Sequence, residues 1–152
     1  MEVIMHFQFR SFLPENTSFR AMHKTHISSV APDHHDYHPH YELYYFDKPV
    51  KQDVVINGQL ICVDRPCVII SAPFSIHGMS LTDAVSTEFE RFILYFDDRF
   101  LSSFNEALLP MSVFHKSANC IYPLTDADNK TVKQLFDLLL AAADHRAECC
   151  AY

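Results

Sequence analysis

Between Val54 and Val63 the chain reads VVINGQLICV, with Asn57-Gly58 set between two runs rich in β-branched residues. Asn-Gly accepts left-handed backbone at both central positions of a type I′ turn, whose twist matches that of two antiparallel strands. Such a turn commits its flanks to antiparallel pairing, so the surrounding fold must supply a sheet. The neighbouring segments agree. Tyr41 to Phe46, YELYYF, is dense in aromatics with strong strand preference. DRP at 64 to 66 turns the chain, and CVIISAP at 67 to 73 predicts a strand that closes at a proline just before His77. STEFERFILYF predicts a last long strand, with Phe89, Arg91, Ile93 and Tyr95 on one face and Glu88, Phe92, Leu94 and Phe96 on the other.

Short strands with short turns, and no helix before residue 97, describe an antiparallel sandwich or small barrel. Residues 1–20 read as an N-terminal arm or an edge strand broken at Pro14, and Ala21 to Val30 as an extended segment. Residues 21–96 then form the β-barrel, and 97–152 a helical segment. Within it, DDRFLSSFNEALL predicts a short helix started by Asp97 or Asp98 and stopped by Pro110. A clearer helix runs from Asn129 to Arg146, where Val132, Leu135, Phe136, Leu139 and Ala143 follow helical spacing and Asp126 or Asp128 can cap the start. Leu138 and Leu140 widen its apolar face, either to meet a partner helix or to cap the barrel.

At 152 residues the chain suits one domain. Nineteen Asp and Glu against twelve Lys and Arg leave a formal charge of -7, without a basic run, so these residues are not expected to track a phosphate backbone themselves. Five cysteines, Cys62, Cys67, Cys120, Cys149 and Cys150, lack paired CxxC spacing and fit a reducing, cytoplasmic setting as small buried thiols. No stretch approaches the roughly 20 apolar residues of a membrane span, so no membrane partner is expected.

The chemistry concentrates in DHHDYHPHYE, residues 33 to 42, which holds four of the ten histidines. If the strand extends through it, alternation puts His38, His40, Glu42 and Tyr44 on one face. Buried without partners these groups would cost several kcal/mol, so an inward orientation calls for a metal, waters or a polar ligand. His77 follows the strand that returns alongside, and His38, His40, Glu42 and His77 together would make a mixed nitrogen and oxygen site for Zn, Ni, Fe or Mn. The bland alternative is a solvated histidine-rich loop. Clustered histidines would also titrate near neutral pH, which keeps a pH sensor among the readings.

HPHYELYYF, then the Asn-Gly hairpin, then APFSIHG and FERFILYFDDRFL, resembles the cupin barrel over roughly residues 18–147. Within it, the order is most similar to the N-terminal sensor domain of AraC-family transcription regulators. The resemblance implies a mainly β, cupin-like antiparallel β-barrel (double-stranded β-helix or jelly roll) followed by C-terminal α-helices. It implies a small-molecule effector, a sugar among the candidates, held by His38, His40, Glu42, Tyr44 and His77. It also implies a homodimer formed through the C-terminal helices, and DNA binding through a C-terminal helix-turn-helix domain outside this chain. HRAECCAY carries no helix stop, so the chain is expected to be a piece of a longer regulator.

Metal-dependent cupin enzymes place three or four residues between the second His and the Glu, where only Tyr41 lies between His40 and Glu42. Aligning Glu42 instead puts His38 in the second His position and Asp36 in the first. PFSIHGMSL also lacks the enzymes' glycine and asparagine. The expectation is therefore a binding module that is not an enzyme and needs no cofactor. The alternative is a stand-alone metal-dependent cupin enzyme, of dioxygenase or sugar isomerase type.

Overall fold

In the computed structural model, residues 6–9, 11–27, 34–50, 53–80, 88–104 and 119–149 are described. The elements run β1 (His6–Phe9), β2 (Phe19–Ile27), β3 (His34–Tyr37), β4 (Tyr41–Phe46), β5 (Val54–Ile56), β6 (Gln59–Ile61), β7 (Cys67–Ser71), β8 (His77–Met79), β9 (Glu88–Phe96), α1 (Asp98–Ser102), β10 (Asn119–Pro123) and α2 (Asp126–Cys149). The hairpin β5–β6 turns on Asn57 at φ 48° and Gly58 at φ 80°, both left-handed as a type I′ turn requires.

Two five-stranded sheets form, in the orders β1-β3-β8-β5-β6 and β10-β7-β4-β9-β2. All pairings are antiparallel except β1 with β3. The sheets face each other across one core: Tyr44, Phe46, Ile69, Ile93 and Tyr95 from the second sheet meet Val54, Ile56 and Ile61 from the first, with Val63 and Leu13 closing it. The mainly β expectation holds, as does the C-terminal helix. The two sheets are not joined into a closed barrel among the described residues.

β4 lies in the middle of its sheet and is buried on both sides, which explains its lack of clean polar alternation. Its outer face puts Tyr45 beside Phe92 and under Phe136 of α2, with Val132 and Leu140 alongside. Burying an aromatic of this size contributes about 1.5–3 kcal/mol. The Tyr45 hydroxyl donates to Asn129 Oδ1 at 2.7 Å, and Asn129 Nδ2 donates to the Asp47 carbonyl at 3.1 Å. The helix start is thereby tied to the end of β4. Leu135 and Leu138 remain exposed.

Two local expectations change. α2 begins three residues before Asn129, because Thr125 caps it: its hydroxyl accepts from the Asp128 N–H at 3.2 Å and donates to the Asp128 carboxylate at 2.7 Å. The interval 97–152 is not helical throughout, since β10 pairs with β7 over five residues. Asp97 does cap α1, accepting from the Phe100 N–H at 3.1 Å. The expected stop at Pro110 lies outside the described residues.

Candidate functional site

The strand expected to run unbroken through the histidine cluster is interrupted. β3 ends at Tyr37 and β4 starts at Tyr41, with a bend at Pro39 and His40 between them. Proline has no N–H for a ladder and fixes its own φ, so the break falls where the sequence places it. The bend takes His40 out of the alternation that His38, Glu42 and Tyr44 keep. His38 turns inward to meet Glu42, while His40 stays half-buried beside it, its ring 5.7 Å from that of His38 and its Nε2 3.3 Å from the Ser11 hydroxyl.

His77 arrives from the far sheet, at the start of β8. The loop before it turns through Phe74, which sits at φ 62°, a costly conformation for a bulky residue. There the Phe74 N–H donates to the His38 carbonyl at 2.8 Å, and that clamp ties the loop to the bend before β4. Glu42 Oε2 lies 2.9 Å from His38 Nε2 and 2.6 Å from His77 Nε2, with all three residues almost fully buried.

The outer nitrogens settle the tautomers. His38 Nδ1 faces the His40 carbonyl at 3.1 Å and His77 Nδ1 faces the Ser75 carbonyl at 2.8 Å. A carbonyl only accepts, so each Nδ1 carries the hydrogen and each Nε2 points at Glu42. Two such approaches to one carboxylate oxygen require a cation on each line, either a proton or a metal ion shared by the three groups. Burial would raise the Glu42 carboxyl, but the bonds from His38 and His77 outweigh it and hold it down to about 2. Burial opposes protonation of His77, yet the bond and charge of Glu42 push its imidazole up. His40 moves the other way, lowered by burial and by the neighbouring His38.

Tyr44 lies on the same inner row as Glu42, its ring 6.2 Å from His77. Tyr95 stands opposite Glu42 in the β4–β9 ladder, with its ring edge-on to His38. Burial, then the Glu42 charge, push both phenols up, so both remain donors. Ser71 is opposite Glu42 in the β4–β7 ladder, and its fully buried hydroxyl has no hydrogen-bond partner among the described residues. Phe12 of the N-terminal arm covers this cluster, stacked 4.6 Å from Tyr95 and edge-on to His38.

The structure thus brings His38, Glu42, Tyr44 and His77 together and leaves His40 beside the group. Tyr95 and Ser71 were not foreseen. An Arg91 in the apolar row Phe89, Ile93, Tyr95 was a visible signal that this face is not plain core, whereas Ser71 carried no local one. The donor set suits a metal: two imidazole nitrogens and a carboxylate oxygen within 4.8 Å of one another, each imidazole anchored by its other nitrogen. A separate cavity of about 310 Å³ lies on the outer side of the sheet, between β2 and α2, lined by Phe19, Ala21, Leu139 and Ala142 among others.

No family model matches this chain, and no curated protein matches it. Among solved structures it is similar to ToxT from Vibrio cholerae O395 bound to (E)-4-(8-methylnaphthalen-1-yl)but-3-enoic acid, with 13% identity and a TM-score of 0.52 over 80% of this chain and 48% of that one. A second ToxT structure from Vibrio cholerae matches at 13% identity and a TM-score of 0.47, over 79% of this chain and 48% of that one. The chain spans about half the length of ToxT, and the likeness is one of fold.

Proposed function

We propose that this chain is the effector-sensing and dimerising domain of an AraC-type transcription regulator, which binds a small molecule between its two sheets and does no chemistry on it. The observation that carries this reading is the inner wall itself. Six polar side chains, His38, Glu42, Ser71, His77, Tyr44 and Tyr95, converge between the two sheets, one with a buried hydroxyl unsatisfied among the described residues. The fold likeness to ToxT, an AraC-family regulator bound to a small organic molecule, supports it.

An effector acts only through unequal affinity for two states. Phe12 rests directly on His38 and Tyr95, so a ligand reaching those rings would change how the arm packs. In this reading the arm and α2 pass that change to a second copy and to a DNA-binding domain beyond this chain. A sugar is one candidate effector class. No described helix is long and apolar enough to cross a membrane, and a cytoplasmic location fits a regulator.

The test is a thermal-shift screen of sugars and organic acids against the chain and against Tyr95→Phe. A ligand at 100 times its Kd should add about 2.7 kcal/mol to the wild type. A weaker gain in the variant supports the reading, and a screen in which nothing shifts the wild type overturns it.

The second reading, a metal-dependent cupin enzyme, rests on the anchored donors of His38, Glu42 and His77. These three would hold the ion, which would supply Lewis-acid activation, while His40 stands outside the set. Stoichiometric Zn, Ni, Fe or Mn in the purified protein, lost in His77→Ala, would favour it.

A further inference from the structure

On the inner face, Lys24 of β2 and Arg91 of β9 stand directly opposite each other in the ladder. Their orientation follows from their neighbours: Met22, Phe89, Ile93 and Tyr95 belong to the inter-sheet core, while Phe92 and Leu94 pack outward under α2. Two like charges paired across strands destabilise the ladder. Neither forms an ion pair or hydrogen bond with a carboxylate among the described residues, and Arg91 Nε is buried without a hydrogen-bond partner.

The carboxylates whose charge reaches Lys24 are Glu42 and then Asp36, and the first of them is already committed. Glu42 receives both histidines, so its charge is taken up there. Arg91 instead lies over the rings of Tyr44 and Phe89, 5.6 and 5.8 Å from their centroids, which holds its guanidinium at the aromatic wall. Burial, and then Arg91, lower the Lys24 amine from its ordinary value, a cost that an anion would remove.

We propose that Lys24 and Arg91 form an anion-recognition point inside the sandwich, and that the effector is an organic acid: its carboxylate lies between the two cations and its apolar body lies against Tyr44 and Phe89. A guanidinium takes both carboxylate oxygens, an ammonium supplies a second donor, and the unfavourable cation pair becomes favourable only when the acid is bound. This deepens the effector reading and rests on it.

The experiment is calorimetric titration of phenylacetate, 4-phenylbutyrate and 1-naphthylacetate, each against its primary amide, into the chain and into K24Q and R91Q. At least one acid should bind tenfold or more tighter than its amide, and each variant should cut that ratio to about threefold or less. Without ligand, K24Q should melt about 2–4 °C higher, because half of a repulsive pair is gone. Amides that bind as tightly as the acids overturn the anion site alone. A chain that binds none of the probes and no sugar overturns the effector reading with it.

Discussion

Glu42 and His77, thirty-five residues apart in sequence and on opposing sheets, meet at 2.6 Å with both side chains almost wholly removed from water. This contact and the 2.9 Å approach of His38 join the two layers through one carboxylate. A buried ion pair is by itself weak evidence for stability, so the trio bears on specificity and ligand chemistry as much as on stability.

Removing the carboxylate tests that contact. Glu42→Gln leaves two imidazoles facing an amide in a dry interior, and breaking a buried charge pair costs about 3 kcal/mol. Urea unfolding should show this as a lower midpoint at unchanged slope. A loss within about 0.5 kcal/mol, the range of a surface substitution, would mean that the trio is not closed in solution.

Stability should also depend on pH in a defined sense. The folded Glu42 carboxyl, near 2 against an ordinary 4.5, contributes stability that is present above about 4.5 and fades as pH falls toward 2. His77, raised from 6.5, contributes stability that is complete below 6.5 and fades as pH rises through its folded value. Unfolding midpoints measured with a chelator present should therefore peak between about pH 4.5 and 6.5. In Glu42→Gln the acid limb should flatten, and a variant that keeps the full wild-type limb would assign it to other groups.

The helix dock gives an independent prediction. Tyr45→Phe keeps the ring on Phe136 and removes the hydroxyl that donates to Asn129, at a cost of about 1 kcal/mol. Phe136→Ala should cost about 3–5 kcal/mol, since it empties a packed site between α2 and the sheet. Equal losses in the two variants would show that the hydroxyl, not the ring, carries the dock.

At the hairpin, Gly58 has open space where a side chain would project but sits at φ 80°. Gly58→Ala should therefore cost about 1–2 kcal/mol through backbone strain alone. Gly58→Asn should recover part of the loss, because asparagine tolerates the left-handed region. If alanine is neutral in chemical denaturation, the turn is not the type I′ found here.

Much of the β-layer was legible because its signals are local. Asn57-Gly58 dictates its own turn, YELYYF matches β4 end to end, and the 3.6-residue spacing after Asn129 marks α2. The site was half legible. His38, Glu42, Tyr44 and His77 were singled out from residue type, yet His40 was grouped with them on an alternation that Pro39 interrupts. β10 escaped notice because NCIYP is short and is a strand only through its pairing with β7.

The sequence by itself determined which segments extend, where they turn and which carry imidazole and carboxylate, because backbone preference and side-chain period act over a few residues. Tertiary structure alone decided which of these groups meet. The bend at Pro39 and His40 sets His40 aside from the inner row, and ladder register sets Tyr95 and Ser71 against Glu42 and Lys24 against Arg91. Those partners lie from 29 to 67 residues apart, a separation over which no local preference reaches and only packing of the two sheets selects the pair.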